Sequence, residues 1–388
     1  MHRGPPVFAQ LVSIIHPQQF ARIVAHFPTA RATRTLSAWE HFLAMAFAQV
    51  TFRESLRDLV VCLDARPNLR YHLGFRRRVA RSTLADANED RDWRVFAAVA
   101  EHLMHKARRL YATDPVIASL ESIYALDASI IDLSLALCPW ANWTGRDAAV
   151  KLHTLLDLRG SVPAFVRVTA AHVYETAIFN ELPIEAGSYY LMDRGYQDFA
   201  TFYRMHRLGA FFVTRAKCNV RFSVRESRPV DKQSGVRCDQ IVCLASRAAR
   251  RLYPERLRRV RYYDAEHQLR FVFWTNQLDL SPLTIAQLYQ RRWQVELFFK
   301  WIKYNLRLRC FLGVSMNAIR IQLWSAISVY TLVAIAKKQW QIPHSLHQIL
   351  QVLSVSAFEQ TTIPELFAPA GLNDGESDTG NQLVFTDI

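Results

Sequence analysis

Near Ile123 the apolar residues of this chain stop recurring at helical spacing and begin to come in short runs bounded by turns. That switch restricts the folds open to it. Before it, Phe8, Leu11, Ile14, Ile15, Phe20 and Ile23 predict a helix over residues 7–28, closed by Pro28. Ser37 is a fair N-cap for a helix over 38–50, whose Trp39, Phe42, Leu43, Ala46 and Phe47 repeat at three and four. Residues 51–64 read as a short helix with Arg53 and Arg57 outward, and Ser82 as the cap of a long helix towards Tyr111. Residues 1–112 therefore read as an all-α domain. After the switch, runs at 123–135, 148–158 and 162–170 read as strands, the last two joined at Arg159-Gly160. A fourth strand at 189–192 ends at Asp193, a helix covers 195–208, and a strand follows at 210–214. Strands first, then strand and helix alternating, predict a mixed α/β sheet over 113–214. Residues 215–270 interrupt it as an Arg-rich, β-leaning insertion, and 271–370 return through a strand at 269–275 to helices. Residues 371–388 are polar and acidic, without Lys or Arg, and read as a loose tail.

Charge narrows the partner. The 388 residues carry a formal +14, which favours nucleic acid or an anionic membrane surface, and 51% apolar content excludes a disordered chain. Lys and Arg outnumber Asp and Glu by 17 to 10 over residues 1–120, 15 to 6 over 215–270, and 7 to 1 over 286–320. Three separated, aromatic-interleaved blocks suit a long polyanion such as DNA better than merely solvated surfaces. Residues 1–112 are accordingly read as a DNA-binding or assembly domain, with Arg76, Arg77, Arg78 and Arg81 in a loop or on the DNA. The most apolar run, 321–336, falls short of the roughly 20 residues that span a bilayer and reads as a buried helix. Six scattered cysteines, at 62, 138, 218, 238, 243 and 310, with no Cys-x-x-Cys, point to a reducing cytoplasm. Cys238 and Cys243 lack a second ligand pair at zinc spacing and read as strand residues.

The chemistry is concentrated in one stretch, residues 289–303. As one α-helix it would place Tyr289, Arg292, Glu296 and Lys303 within an arc of roughly 60°, with Lys300 and Trp293 beside them. Phe298, Leu297 and Phe299 would face a core. A lone carboxylate among cations suits a metal ion and phosphates. Paired divalent ions need acids that converge from separate elements. Asp127 in the first strand and Asp193 at the end of the fourth supply them. Asp132 would face the other side of an ideal strand, Asp157 suits a turn, and Asp198 suits a helix start.

Tyr289, Arg292, Glu296 and Lys303 match without a gap the Tyr-Arg-Glu-Lys signature of DDE transposases of the bacterial insertion-sequence 4 family, which the chain resembles over nearly its whole length. Leu191-Met192-Asp193-Arg194-Gly195-Tyr196, Ala149-Val150-Lys151-Leu152-His153 and Tyr71-His72-Leu73-Gly74 are also similar to that family. The resemblance implies an α/β, RNase H-like core with a β-rich insertion, preceded by an all-α N-terminal domain. It implies Asp127, Asp193 and Glu296 as catalytic residues and ligands of two Mg2+ ions, for which Mn2+ can substitute. It further implies DNA contacts by Tyr289, Arg292 and Lys303, with Trp293, Lys300, Arg291, Arg194 and Lys151 as candidates. Trp293 could equally be packed in the core. The expected partners are double-stranded DNA, at terminal inverted repeats and target, and a second copy in a homodimer, with no membrane. A nuclease on the same fold would need the acids but not Tyr289, Arg292 and Lys303; a non-catalytic relic that only occupies DNA ends would tolerate loss of an acid. All six residues are present.

Overall fold

The computed structural model describes residues 4–27, 35–114, 120, 122–133, 148–305 and 311–368. Cys138, Cys310 and the acidic tail lie outside them. The chain opens with α1 (Val7–Val12), α2 (Pro17–Val24), α3 (Ala38–Val50), α4 (Leu56–Asp64), α5 (Pro67–Arg70), α6 (Arg81–Asp90) and α7 (Arg94–Tyr111). Two helices expected to be single are divided. Pro17, which has no N–H to give, starts α2 rather than continuing α1. The Asp92 carboxylate takes the Arg94 amide at 2.9 Å, so the chain turns between α6 and α7. Ala80, not Ser82, stands at the N-cap of α6. Ser37 does cap α3, in a reciprocal box with Glu40.

The strands are β1 (Ile123–Leu133), β2 (Ala148–Asp157), β3 (Val162–Ala170), β4 (Tyr189–Met192), β5 (Phe211–Arg215), β6 (Phe222–Arg228), β7 (Val236–Leu244), β8 (Leu257–Asp264) and β9 (Leu269–Thr275), with α8 (Phe199–Arg207) and α9 (Arg247–Leu252) between them. They form one nine-stranded sheet in the order β3-β2-β1-β4-β5-β9-β8-β7-β6. β1, β2 and β3 are antiparallel, and β4 and β5 run parallel to β1, which is the RNase H-like arrangement. β9 pairs antiparallel with β5, so β6 to β9 extend the core sheet as a meander instead of standing apart as a separate subdomain. Inside the meander the Arg258 guanidinium makes two 2.7 Å bonds to the Asp239 carboxylate, both groups being fully buried. It also donates to the Leu280 carbonyl at 2.5 Å, just ahead of α10 (Pro282–Arg291).

α11 (Trp293–Asn305), α12 (Met316–Gln339), α13 (Leu346–Ser356) and α14 (Ile363–Leu366) complete the chain. Among the described residues α12 is the one helix long and apolar enough to cross a membrane, and 94% of its most apolar window is packed inside the protein. It lies against α3, α7 and β3, so the N-terminal helices share one apolar core with the C-terminal ones. A buried polar chain pins this seam. His41 of α3 bonds Asn88 of α6 at 2.8 Å, Asn88 donates to the Leu312 carbonyl at 3.2 Å, and the Leu312 amide donates to Gln322 of α12 at 2.7 Å.

Candidate active site

β1 pairs with β4 only from Ile123 to Leu126, where Leu126 stands opposite Met192. The two strands then part. Asp127 and Asp193 are the next residue on each, so the register sets both carboxylates at the fork: Asp193 just past the end of β4, and Asp127 midway along β1, which runs on beside β2 to Leu133. After Asp193 the chain turns at once, the Tyr196 amide bonding the Asp193 carbonyl at 3.1 Å.

The third wall is the pair α10 and α11. The expected single helix over 289–303 is two helices meeting at Arg292, where bonds from the Arg292 amide to the Tyr289 carbonyl and from the Val295 amide to the Arg292 carbonyl step back three residues instead of four. Nothing in the sequence marks this break, since neither Pro nor Gly falls there. α11 buries Val295, Phe298, Phe299 and Ile302, a stripe at i, i+3, i+4 and i+7. Leu297 lies off that stripe and is exposed, contrary to its expected core position. Tyr289 seats its ring on Phe273 of β9, 4.7 Å between centroids, and its hydroxyl donates to Asp193 Oδ1 at 3.0 Å. Arg292 donates from one terminal nitrogen to Asp127 Oδ2 at 3.0 Å and from the other to Glu296 Oε1 at 2.6 Å. One arginine and one tyrosine thus link all three acids.

Burial pushes the Asp127 carboxyl up to about 6; the Arg292 cation and the Ala128 amide oppose this, and the charges of Glu296 and Asp193 add to it. Burial likewise pushes the Tyr289 phenol up to about 12, against the pull of Arg292. Burial works against the Arg292 cation too, yet Tyr289, Asp127 and Glu296 outweigh it and hold the guanidinium above its ordinary range. Beside these groups lies a cleft of about 630 Å³ lined by Asp127, Ser129, Glu296, Lys300, Lys303 and Tyr304. Among the described residues no three His, Cys, Asp or Glu side chains stand close enough together to hold a metal ion. The donor chemistry nevertheless fits one: three carboxylates offer hard oxygens of the kind divalent cations take, and a guanidinium already occupies the cation position between two of them.

The other expected residues divide. Arg194, Arg291 and Lys300 are exposed, and Lys303 is half-buried at the cleft. Trp293 is 57% exposed at the start of α11, which removes the core-packing alternative. Lys151 is not on this surface. It is 8% exposed, three residues from Thr154, the β2 partner of Asp127, and so on the opposite face of the sheet. Its ammonium bonds the Val173 carbonyl at 2.8 Å and Glu175 at 3.0 Å. Two residues not singled out are Thr154 and Tyr196. Both hydroxyls are buried without a hydrogen-bond partner among the described residues, and burial together with Asp127 holds the Tyr196 phenol well above its ordinary value. The pairing register could have found Thr154. Tyr196 stands three residues after Asp193, where the turn brings it back.

Comparison with known proteins bears on this geometry. Residues 118–332 match the family described as Transposase DDE domain, and residues 3–76 match one described as Domain of unknown function (DUF4372). A protein of Sinorhizobium fredii named as a transposase is 32% identical over 298 residues, 75% of this chain and 81% of that protein. A Geobacillus stearothermophilus protein named as the transposase of insertion sequence element IS5377 is 31% identical over 210 residues, 53% of this chain and 54% of its own length. A Synechocystis protein named for insertion sequence element IS4SA is 22% identical over 257 residues, 64% and 69% of the two chains. Among solved structures, piggyBac transposase in a synaptic complex with hairpin DNA gives a TM-score of 0.44 at 10% identity, over 96% of this chain and 83% of that one.

Proposed function

The chain belongs to the family of transposases with a DDE domain, and on that footing we propose that it moves a DNA element by cut and paste, through phosphoryl transfer at Asp127, Asp193 and Glu296. The observation that carries this reading is that Arg292 holds Asp127 and Glu296, and Tyr289 holds Asp193, around the point where β1 and β4 part. The three acids would hold two Mg2+ ions, with Mn2+ able to substitute, and the bound ions would make water nucleophilic and offset charge on the phosphate. The rest is binding and orientation by the chain's own groups. Arg292 and Lys303 hold phosphates of the element's end, and Tyr289 a phosphate beside a distorted or flipped base. Arg194, Arg291 and Lys300 extend the cationic approach, and Trp293 offers its indole to an unstacked base. Attack of water at phosphorus breaks the bond to the 3′ oxygen, which leaves as a free 3′ hydroxyl. That hydroxyl attacks a phosphate of the opposite strand, whose bond to the 3′ oxygen of the flanking DNA breaks as the hairpin closes. Water reopens the hairpin at the same phosphate, restoring the 3′ hydroxyl, which then attacks a target phosphate and displaces that strand's 3′ oxygen.

Residues 1–112 serve DNA binding and assembly in this reading. Leu73, Phe75 and Val79 are buried and root the loop from which Arg76, Arg77 and Arg78 are exposed. Residues 113–214 and 271–370 form the two parts of the catalytic core, 215–270 the insertion, and 371–388 the tail. The substrate is double-stranded DNA at terminal inverted repeats, paired by a homodimer in the cytoplasm of a prokaryote. The test is to incubate purified protein with a labelled terminal repeat and Mg2+. Nicking by the wild type and its loss in Asp193→Ala are expected; no nicking, or nicking unchanged by the substitution, overturns the assignment.

A further inference from the structure

We propose that Arg292 is a built-in cation that closes the acidic site of the DNA-free protein, so that divalent ions enter only after a DNA phosphate has drawn the arginine out. The inference rests on the reading of Asp127, Asp193 and Glu296 as the cation-holding set. The guanidinium spans Asp127 and Glu296 at 3.0 and 2.6 Å, its side chain is 14% exposed, and its carbon lies 5.5 Å from the centroid of the Tyr289 ring. Tyr289 in turn holds Asp193 by its hydroxyl. An ion bound to the same carboxylate oxygens would sit within a few ångströms of a fixed positive charge and compete with it for the same lone pairs. The two cations exclude one another.

The closed position is also incomplete. Arg292 Nε is buried and has no hydrogen-bond partner among the described residues. A planar fork that spreads its two terminal nitrogens over two carboxylates leaves the third nitrogen unused, and an unpaired buried donor is costly. A phosphate accepts two parallel N–H bonds from one edge of a guanidinium and offers Nε the partner it lacks. Lys300 and Lys303, lining the adjoining cleft, draw phosphate to the same place. Because Arg292 stands at the junction of α10 and α11, its side chain leaves from a break between helices and not from the middle of a turn. DNA binding and ion entry are thereby ordered: phosphate first, metal second.

The test measures free Mn2+ by electron paramagnetic resonance during titration of the full-length, DNA-free protein, and so reads no activity. Arg292→Gln is expected to bind Mn2+ at least ~10-fold more tightly than the wild type, and Arg292→Gln with Asp193→Ala to lose that gain. Arg292→Lys, a single ammonium without the fork, is expected to fall between, and it carries the test should the glutamine variant fail to fold. Equal affinities in wild type and variants overturn the proposal. If the wild type still nicks DNA in that case, the catalytic reading stands without the latch. If no variant binds Mn2+ and the wild type does not nick, both fall.

Discussion

At the scale of single residues, the acids were legible and their connections were not. Asp127 follows an apolar strand and Asp193 ends one, so alternation and length place them, and the match at Tyr289, Arg292, Glu296 and Lys303 supplies the third. Lys151 shows why reading stops there. Its partner Glu175 is 24 residues away, and a buried lysine looks in sequence like one facing solvent. Trp293 looks apolar and is exposed, so its remaining expected role, contact with DNA, is open to experiment. Trp293→Ala is expected to leave the thermal midpoint unchanged while weakening binding of a duplex with an unpaired end by about 1 to 3 kcal/mol, measured by fluorescence anisotropy. Undiminished DNA binding would remove Trp293 from the DNA contacts.

At the scale of elements, helix and strand identity followed periodicity, but boundaries followed local chemistry that periodicity cannot carry. The break at Arg292 leaves both neighbours helical, so the apolar spacing runs on through it. The hairpin between β2 and β3 was legible because Arg159-Gly160 announces a turn, and the structure adds what holds it. Gly160 has φ +71°, and a Cβ there would come within 2.3 Å of the Tyr111 ring, whose hydroxyl is tied to the Ala334 carbonyl of α12 at 2.8 Å. The ring cannot yield without breaking that bond. Gly160→Ala is therefore expected to cost about 2 to 4 kcal/mol from backbone strain and overpacking together. Chemical denaturation reads this directly, and a cost under about 0.5 kcal/mol, the scale of ordinary surface substitutions, would show that the turn relaxes freely.

At the scale of the whole molecule, the RNase H-like sheet was expected and its unity was not. Residues 1–112 read as a separate helical domain, yet they are sealed to α12 by a common core and by the chain from His41 through Asn88 and Leu312 to Gln322. Contacts between residues more than 200 positions apart leave no periodic trace. The seam carries an acid-sensitive group. Burial and the Arg91 cation push His41 down to about 3, so it stays neutral in the fold while the unfolded chain takes a proton below 6.5. The stability it contributes is complete above pH 6.5 and is lost progressively as pH falls towards 3. Between pH 7 and pH 5 the loss should reach about 2 kcal/mol. Thermal unfolding at the two values should show a steeper fall for the wild type than for His41→Gln, and parallel curves would remove His41 as the cause.

The meander has a mechanical meaning beyond its place in the sheet. Arg258 grips the Leu280 carbonyl just before α10, and Phe273 of β9 is the seat of Tyr289, which holds Asp193. No slack loop separates the outer strands from the acid. A load that twists β6 to β9 would therefore reach Asp193 through Phe273 and Tyr289, the short arm of a lever whose long arm is the outer strands.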